Sequence, residues 1–174
     1  MMNFLKRRLL GHERYGRSRG VTIGRDCRIL SSNFGTEPFL ITIGDRVTVS
    51  FDVIFLTHDG SSWLMRDEKG RRYIYRPLKI GSDCFIGAGS ILMPGIEIGD
   101  RVIVAAGAVV TKSVPDGSIV AGVPARIIGD YETFKERVMA MPSDADLAPV
   151  PDFRDRVMAA LDPTPRPLLT RDQS

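Results

Sequence analysis

The sequence predicts an all-β repeat fold, a parallel β-helix built from hexapeptides. Residues 80–115 divide into six units of six, and small residues such as Gly81 and Gly87 often hold the second place. The residues that open the units are all aliphatic: Ile80, Ile86, Leu92, Ile98, Val104 and Val110. A period of six is not helical, because 3.6 residues per turn cannot keep every sixth residue on one face. It is typical of short strands joined by corners, whose stacked coils bury a column of aliphatic side chains.

Units of the same kind begin well before residue 80. They start at Ile23, break across residues 31–38, resume at Ile43 and continue to Phe55. About 19 residues, 59–77, are then inserted before the register returns. Long insertions on a rigid repeat are usually functional or mobile, so we expect a protruding loop here.

The two ends of the chain depart from the repeat. The first residues are polar and basic, with a helix predicted over 3–10. Helical spacing of apolar residues predicts two short helices over 131–141 and 153–161, and DPTPRPLLTRDQS at the end reads as a flexible tail. The domain boundaries predicted are an N-terminal extension at 1–20, a β-helix domain at 21–129 and a C-terminal helical extension at 130–174.

Composition fits one globular domain in a reducing compartment. At 174 residues the chain can bury a substantial core. Cys27 and Cys84 both occupy the fifth place of a hexapeptide, and we interpret them as small core fillers rather than a disulfide or a nucleophile. This cysteine usage favours a cytoplasmic location.

Charge and hydropathy give little support to polyanionic or membrane partners. The net charge is +3, and no long basic run or recognised motif indicates nucleic-acid binding. The start, MMNFLKRRLL, has no apolar run long enough for a signal peptide or a transmembrane span. We expect it to touch a neighbouring subunit, or at most a membrane surface peripherally.

Three features give residues 21–129 a resemblance to a known family. The hexapeptide repeat, Thr111-Lys112 and the GVPAR run at 122–126 resemble the hexapeptide acetyltransferases of the maltose/galactoside and capsular-polysaccharide type. The resemblance implies a left-handed triangular β-helix with three hexapeptides per coil, a homotrimer with sites between subunits, and acetyl-CoA as donor. Asp59 stands where many sugar acetyltransferases of this family have Pro, and this departure looks more like the capsular and surface-polysaccharide branch.

His58 is the predicted catalytic base. It ends the last hexapeptide before the inserted segment, in FLTHDG, and the resembling enzymes carry their base at this rung. A hydroxyl is a poor nucleophile near neutral pH, and a neutral imidazole, whose unperturbed pKa is about 6.5, can accept its proton. A histidine at a strand end is otherwise often a surface residue. The other histidine, His12, precedes the repeat and is interpreted as structural or solvent-exposed.

The resemblance also implies where acetyl-CoA binds. The oxyanion of the tetrahedral intermediate is expected at backbone N–H groups near Gly87-Ala88. Lys112 and Arg126 suit the 3′-phosphate or pyrophosphate of the donor, whereas Gly129 stands where the family often has a further basic residue. The donor-contacting positions implied by the family are Ala88, Ala106, Thr111, Lys112 and Arg126.

Acceptor recognition is assigned to residues near His58. Asn33 and Glu37 lie in the break one coil earlier, where matching enzymes bind acceptor hydroxyls, although both can simply satisfy turn backbone. Asp59 is a candidate to bind acceptor or to orient His58, but adjacent side chains on an extended chain point apart. Trp63 can stack on a sugar face or pack the inserted segment on a neighbouring subunit.

The function predicted is an acetyl-CoA-dependent O-acetyltransferase acting on a sugar or a surface-polysaccharide precursor. A drug acetyltransferase on the same scaffold and a non-catalytic trimeric β-helix are the alternatives. A zinc hydratase of the γ-carbonic anhydrase type needs three histidine ligands per site, whereas the repeat offers only His58. No metal is therefore expected.

Overall fold

The computed structural model describes residues 2–166, with side chains described from residue 10 onward. The chain opens with helix α1, Met2–Ser18, which is kinked at Gly11 (φ 73°). The helix predicted over 3–10 is thus confirmed but is longer, because the polar run after Gly11 continues as a second helical piece. Tyr15 in this piece is buried and lies at the open end of the first coil, where Val21 N donates to Gly16 O.

Fifteen short strands follow α1 in the part of the chain that the structure describes. The first sheet contains β1 (Thr22–Ile23), β3 (Ile41–Ile43), β8 (Leu78–Ile80) and β11 (Glu97–Ile98). The second contains β2 (Arg28–Ile29), β4 (Thr48–Val49), β9 (Phe85–Ile86), β12 (Ile103–Val104), β14 (Ser118–Ala121) and β15 (Arg126–Asp130). The third contains β5 (Ile54–Phe55), β10 (Ile91–Leu92) and β13 (Val109–Val110), and β6 (Arg66–Asp67) pairs with β7 (Gly70–Arg71) in a separate hairpin.

The chain visits the three sheets in turn, so the predicted parallel β-helix is confirmed. Strands of the three sheets pair in parallel with the equivalent strand one coil away, and only β15 closes the second sheet antiparallel to β14. Ile43, Ile80 and Ile98 fall in register, as do Phe55, Leu92 and Val110. These side chains are at most 2% exposed, so the aliphatic positions of the hexapeptides form one internal column.

The cysteines and the corner glycines fill the tight places of the coil. Cys27 and Cys84 are both free thiols, and burial raises the pKa of Cys84 to about 11. Gly44 lies at a corner between the first and second sheets, where an added Cβ would come within 2.7 Å of the Gly81 carbonyl. No side chain fits between these stacked corners, which is why glycine follows the aliphatic residue in this part of the hexapeptide.

Two segments leave the hexapeptide register, as the sequence predicts. The first, around residues 31–40, ends in a 3-10 helix at Pro38–Leu40. The second runs from residue 59 to residue 77 and contains a 3-10 helix at Gly60–Leu64 and the β6–β7 hairpin. Both segments lie on the same side of the β-helix as the end of β5, so they bring irregular chain next to His58.

The C-terminal residues form a separate compact unit from residue 134 onward. The helices of the C-terminal part of the chain are α2 (Tyr131–Met139), whose first three residues precede this unit, α3 (Asp144–Leu147) and α4 (Phe153–Ala159). The two predicted helices are confirmed, and α3 is an addition that begins with a capping box between Ser143 and Asp146. Residues 161–166 have no regular structure, and the rest of the predicted tail lies outside the described residues. Within 2–166, no helix has the length and apolarity needed to cross a membrane.

Candidate active site

His58 lies at the exit of the third sheet, where the chain leaves the coil. The two ends of the inserted segment are held together there: Arg76 N donates to Thr57 O at 2.8 Å, and Asp59 N donates to Ile74 O at 3.0 Å. Between these bonds His58 pairs with Tyr75 in an antiparallel bridge. The side chain of His58 is 40% exposed, so its ring is fixed by the scaffold and still open to a ligand.

Glu37 contacts the ring of His58. Its Oε2 lies 2.9 Å from Nδ1 of His58 and also accepts a 2.7 Å hydrogen bond from Thr57 Oγ1, while its Oε1 accepts one of 2.6 Å from Thr36 Oγ1. Burial raises the pKa of the Glu37 carboxyl, but the hydrogen bonds from Thr36, Thr57 and His58 outweigh it and hold the pKa below its usual value. Glu37 is therefore a carboxylate at neutral pH. It accepts the Nδ1 proton and leaves Nε2 of a neutral His58 as a proton acceptor.

Asp59 does not orient His58. Its Oδ1 accepts from the backbone N of Ser61 at 2.9 Å and from Ser61 Oγ at 2.6 Å, which caps the 3-10 helix that follows. These hydrogen bonds lower the pKa of Asp59. The carboxylate that contacts the histidine ring is that of Glu37, from the preceding coil, and not that of Asp59, which the sequence suggested.

Two cavities meet at His58. The first, of about 430 Å³, lies against the inserted segment, and we call it the loop cavity. Six of its lining residues are Glu37, His58, Trp63, Arg71, Tyr73 and Tyr75. The second, of about 440 Å³, lies along the stacked coils, and we call it the coil cavity. Six of its lining residues are Leu56, His58, Ile74, Arg76, Met93 and Thr111.

His58, Asp59, Gly60 and Ile74 line both cavities. The imidazole ring of His58 can therefore face a ligand in either cavity. This arrangement suits a reaction in which a proton is taken from one substrate and delivered to another.

Aromatic and cationic side chains continue from His58 across the loop cavity. The His58 and Tyr75 rings meet edge to face at 6.1 Å, and the Tyr75 and Tyr73 rings stack at 5.9 Å. The Arg71 guanidinium lies 4.1 Å from the centroid of the Tyr73 ring and 4.6 Å from that of Trp63. The inserted segment is thus an ordered wall of rings and guanidinium groups.

The structure brings only some of the predicted site residues together. His58, Glu37, Asp59 and Trp63 share the loop cavity, and Thr111 lines the coil cavity two coils from the histidine. Asn33 is exposed, pairs through its backbone with Ile54, and lines neither cavity.

The other predicted donor residues lie elsewhere on the chain. Ala88 and Ala106 stand at the corner between the second and third sheets, where Gly107 N donates to Ala88 O. Lys112 is exposed beside Thr111, and Arg126 begins β15 with its guanidinium on Ala125 O at 3.0 Å. The third sheet separates the Ala88 corner from the corner that carries His58 and Thr111.

Sequence reasoning missed the contact between Glu37 and His58. The break at 31–38 was placed one coil before His58, which indicates proximity, but no periodic signal specifies a hydrogen bond between two irregular segments. The order of the ring contacts in the inserted segment has no signal in the repeat either. Among residues 2–166, no cluster of three or more His, Cys, Asp or Glu side chains could hold a metal ion.

Comparison with known proteins agrees with this fold. A family model described as the hexapeptide repeat of succinyl-transferase matches residues 77–112. Protein CapG of Staphylococcus aureus is 43% identical over 126 residues, which cover 71% of this chain and 73% of CapG.

Solved structures of sugar acetyltransferases share the coil. A maltose O-acetyltransferase from Clostridium difficile 630 has a TM-score of 0.54 and 30% identity, over 64% of this chain and 59% of that enzyme. A galactoside acetyltransferase in complex with coenzyme A has a TM-score of 0.51 and 26% identity, over 67% of this chain and 58% of that one. This chain therefore matches less than two thirds of the length of either enzyme.

These matches imply that the β-helix is left-handed, as the resemblance predicts. The matched enzymes are acetyltransferases, so the chain is an acyltransferase. The chain belongs to the hexapeptide-repeat acetyltransferase family.

Proposed function

We propose that the protein is an acetyl-CoA-dependent O-acetyltransferase that modifies a hydroxyl of a sugar or a surface-polysaccharide precursor. The observation that carries the proposal is the His58–Glu37 pair, which lies where the two cavities meet. One cavity offers room for the acceptor and the other for the thioester. The histidine is within reach of both.

The mechanism is a direct transfer with His58 as general base. The hydroxyl oxygen attacks the thioester carbonyl while Nε2 of His58 takes the hydroxyl proton. The tetrahedral intermediate then collapses, the C–S bond breaks, and the imidazolium returns the proton to the departing thiolate. Glu37 keeps the ring aligned and stabilises its positive charge during the step. No acyl-enzyme is formed. The proton of the hydroxyl ends on the CoA thiol, and His58 is returned to its starting state after each transfer.

The coil cavity is assigned to acetyl-CoA. Thr111 lines it, and Lys112 stands next to Thr111 with its charge exposed. A galactoside acetyltransferase that shares this fold was solved in complex with coenzyme A, which supports a coenzyme A thioester as the donor. Arg126 is proposed to contact a phosphate of the same donor.

A second copy of the chain is needed to complete this donor site. Ala88 and Ala106 stand across the third sheet from the corner that carries His58 and Thr111. A homotrimer, in which the Ala88 corner of one subunit approaches the His58 corner of its neighbour, unites these residues. The backbone N–H groups near Gly87-Ala88 then supply the oxyanion donors.

The acceptor class is supported by the walls of the loop cavity. Rings such as those of Trp63 and Tyr73 suit the apolar face of a sugar, and two of the matched enzymes are described as acting on maltose or galactoside. A drug acetyltransferase would use the same base and donor site and differ only in this cavity. A cytoplasmic location stays a prediction.

The test measures release of CoA thiol from acetyl-CoA with a panel of sugars, nucleotide sugars, polysaccharide fragments and amino-alcohol drugs. His58→Ala should lower kcat at least ~100-fold while acetyl-CoA binding, measured separately by calorimetry, is retained. His12→Ala is the matched control, because His12 is the other histidine of the chain, lies in α1, which packs on β1 and β2, and lines neither cavity.

Two results would contradict the proposal. A wild-type protein that fails to bind acetyl-CoA would favour a non-catalytic β-helix. Turnover only of amino-alcohol drugs would favour the drug acetyltransferase.

A further inference from the structure

The charged side chains that line the loop cavity differ in whether they have a hydrogen-bond or ion-pair partner in the protein. Glu37 is bonded to His58 and two threonines, and Asp59 to Ser61. Arg72 is paired with Asp67. Arg71 lines the same cavity, yet within the described part of the chain its guanidinium makes no ion pair and no hydrogen bond to protein.

Arg71 is nevertheless held in place. Its guanidinium contacts the rings of Trp63 and Tyr73, and Tyr73 stacks in turn on Tyr75, which meets the ring of His58. A guanidinium engaged with aromatic rings keeps its N–H donors for a further partner. The contacts fix its position relative to His58 and spare a ligand part of the cost of ordering a flexible side chain.

The geometry points to an acidic sugar as the acceptor. This inference rests on the proposed function and specifies its substrate class. A carboxylate or phosphate on the sugar pairs with the open N–H edge of Arg71, and a hydroxyl of the same molecule faces Nε2 of His58. Arginine suits this role because its planar donors match the two oxygens of a carboxylate or phosphate.

The acidic group of the sugar contributes to binding and is not the nucleophile. The acetyl group still moves to the hydroxyl, whose proton passes through His58 to the thiolate, and the carboxylate or phosphate leaves unmodified. A neutral sugar of the same shape lacks the pairing and leaves the Arg71 charge to water. Arg71 is therefore a specificity-determining residue, which should act on acceptor KM more than on kcat.

The experiment compares acceptors in pairs that consist of an acidic sugar and its neutral counterpart. The pairs are 4-nitrophenyl glucuronide with glucoside, 4-nitrophenyl galacturonide with galactoside, and glucose 6-phosphate with glucose. The first two pairs test a carboxylate and the third a phosphate. Initial rates give kcat and KM for each member with the wild type, Arg71→Gln and Arg66→Gln. Saturation-transfer NMR measures binding of each sugar without acetyl-CoA.

Arg66→Gln is the matched control. Arg66 lies in the same segment and contacts the same Trp63 ring at 4.2 Å, but it does not line the loop cavity. Wild type should prefer the acidic member of at least one pair by about tenfold or more in kcat/KM. Arg71→Gln should remove this preference by raising KM for the acidic member about 10- to 100-fold, with the neutral member little changed. Arg66→Gln should keep it.

Several results would overturn the inference. It fails when no acidic member is bound or acetylated, when neutral members are preferred or equal, or when Arg71→Gln slows both members of a pair alike. Efficient, His58-dependent acetylation of neutral sugars alone would leave the O-acetyltransferase proposal intact. Loss of acetyl-CoA binding by the wild type would remove that proposal as well, so the two failures are distinguishable.

Discussion

Nδ1 of His58 lies 2.9 Å from Oε2 of Glu37, and the two residues come from different irregular segments of neighbouring coils. Glu37 lies in the break of the first coil, just before the 3-10 helix at Pro38–Leu40, and His58 follows β5, the third-sheet strand of the second coil. The Glu37 side chain, which is 16% exposed, thus fixes the tautomer of the His58 ring, whose side chain is 40% exposed. The base is oriented by a carboxylate that its own strand does not supply.

Replacing Glu37 with Gln should lower kcat by about 100-fold or more, because the amide cannot stabilise an imidazolium and can bind the ring in the wrong tautomer. The KM for acetyl-CoA should change little, since Glu37 lines the loop cavity and not the coil cavity. Steady-state kinetics with the best acceptor of the panel measure both constants.

Glu97→Gln is the control for Glu37→Gln. Glu97 is also ion-paired, with Lys79 at 2.9 Å, but it stands on the outer surface of the first sheet. The Glu97 variant should keep wild-type kcat. Equal losses in both variants would mean that the Glu37 effect is a general loss of folded protein, which circular dichroism of the two samples would reveal.

The coil itself was predictable from the sequence because its physics is local and periodic. Each hexapeptide needs one buried aliphatic residue and a small residue at the corner, so Ile80, Gly81 and their equivalents repeat in register with the structure. The same regularity identifies the segment at 59–77, since an interruption of a strict period is itself a signal.

The side-chain contacts around His58 were not predictable in the same way. Glu37 and Trp63 stand in irregular chain, where neither a period nor a turn rule specifies a side-chain partner. Asp59 adjoins His58 in sequence and still turns away to cap the 3-10 helix at Gly60–Leu64. Adjacency along an extended chain separates side chains, whereas stacking of coils brings distant ones together.

Lys112→Ala should weaken acetyl-CoA binding about tenfold, as expected for the loss of one charge-assisted contact to a phosphate. Binding of 3′-dephospho-CoA should be unchanged if the contact is to the 3′-phosphate. Calorimetric titration with both ligands distinguishes the 3′-phosphate from the pyrophosphate. Lys79→Ala is the control, because this exposed lysine lies on the first sheet and pairs with Glu97. A Kd for acetyl-CoA that is equal in wild type and Lys112→Ala would remove Lys112 from the donor site.

Gly44→Ala should destabilise the coil by about 1–3 kcal/mol, because the new Cβ would meet the Gly81 carbonyl carbon and oxygen at 2.7 Å and force the corners apart. Urea unfolding followed by circular dichroism measures the loss. In Gly60→Ala the added Cβ meets nothing within 4 Å, so that variant should lose no stability. Similar urea midpoints for both variants would show that the corner at Gly44 accepts the added Cβ without loss of stability.

Acidification should destabilise the fold through corner carboxylates such as Asp83. Its hydrogen bonds and ion pair with Arg46, at 2.6 and 2.7 Å, hold the pKa of Asp83 below its usual value. A depressed folded-state pKa stabilises the fold above the unfolded value of about 3.9, and this contribution is lost as the pH falls through the folded value. Urea midpoints measured from pH 7 to pH 3 should therefore fall mainly below about pH 4.

Asp83→Asn should flatten this acid dependence, since the variant has no carboxyl to protonate at that corner. Asp52→Asn is the matched control: Asp52 has φ 57° and Asp83 has φ 59°, so asparagine suits both backbones equally. Asp52 makes no ion pair with any side chain from residue 10 to 166, so its variant should keep the wild-type acid sensitivity. If the two variants lose the same stability between pH 5 and pH 3, the Arg46–Asp83 pair does not couple folding to protons, and the acid sensitivity lies elsewhere in the coil.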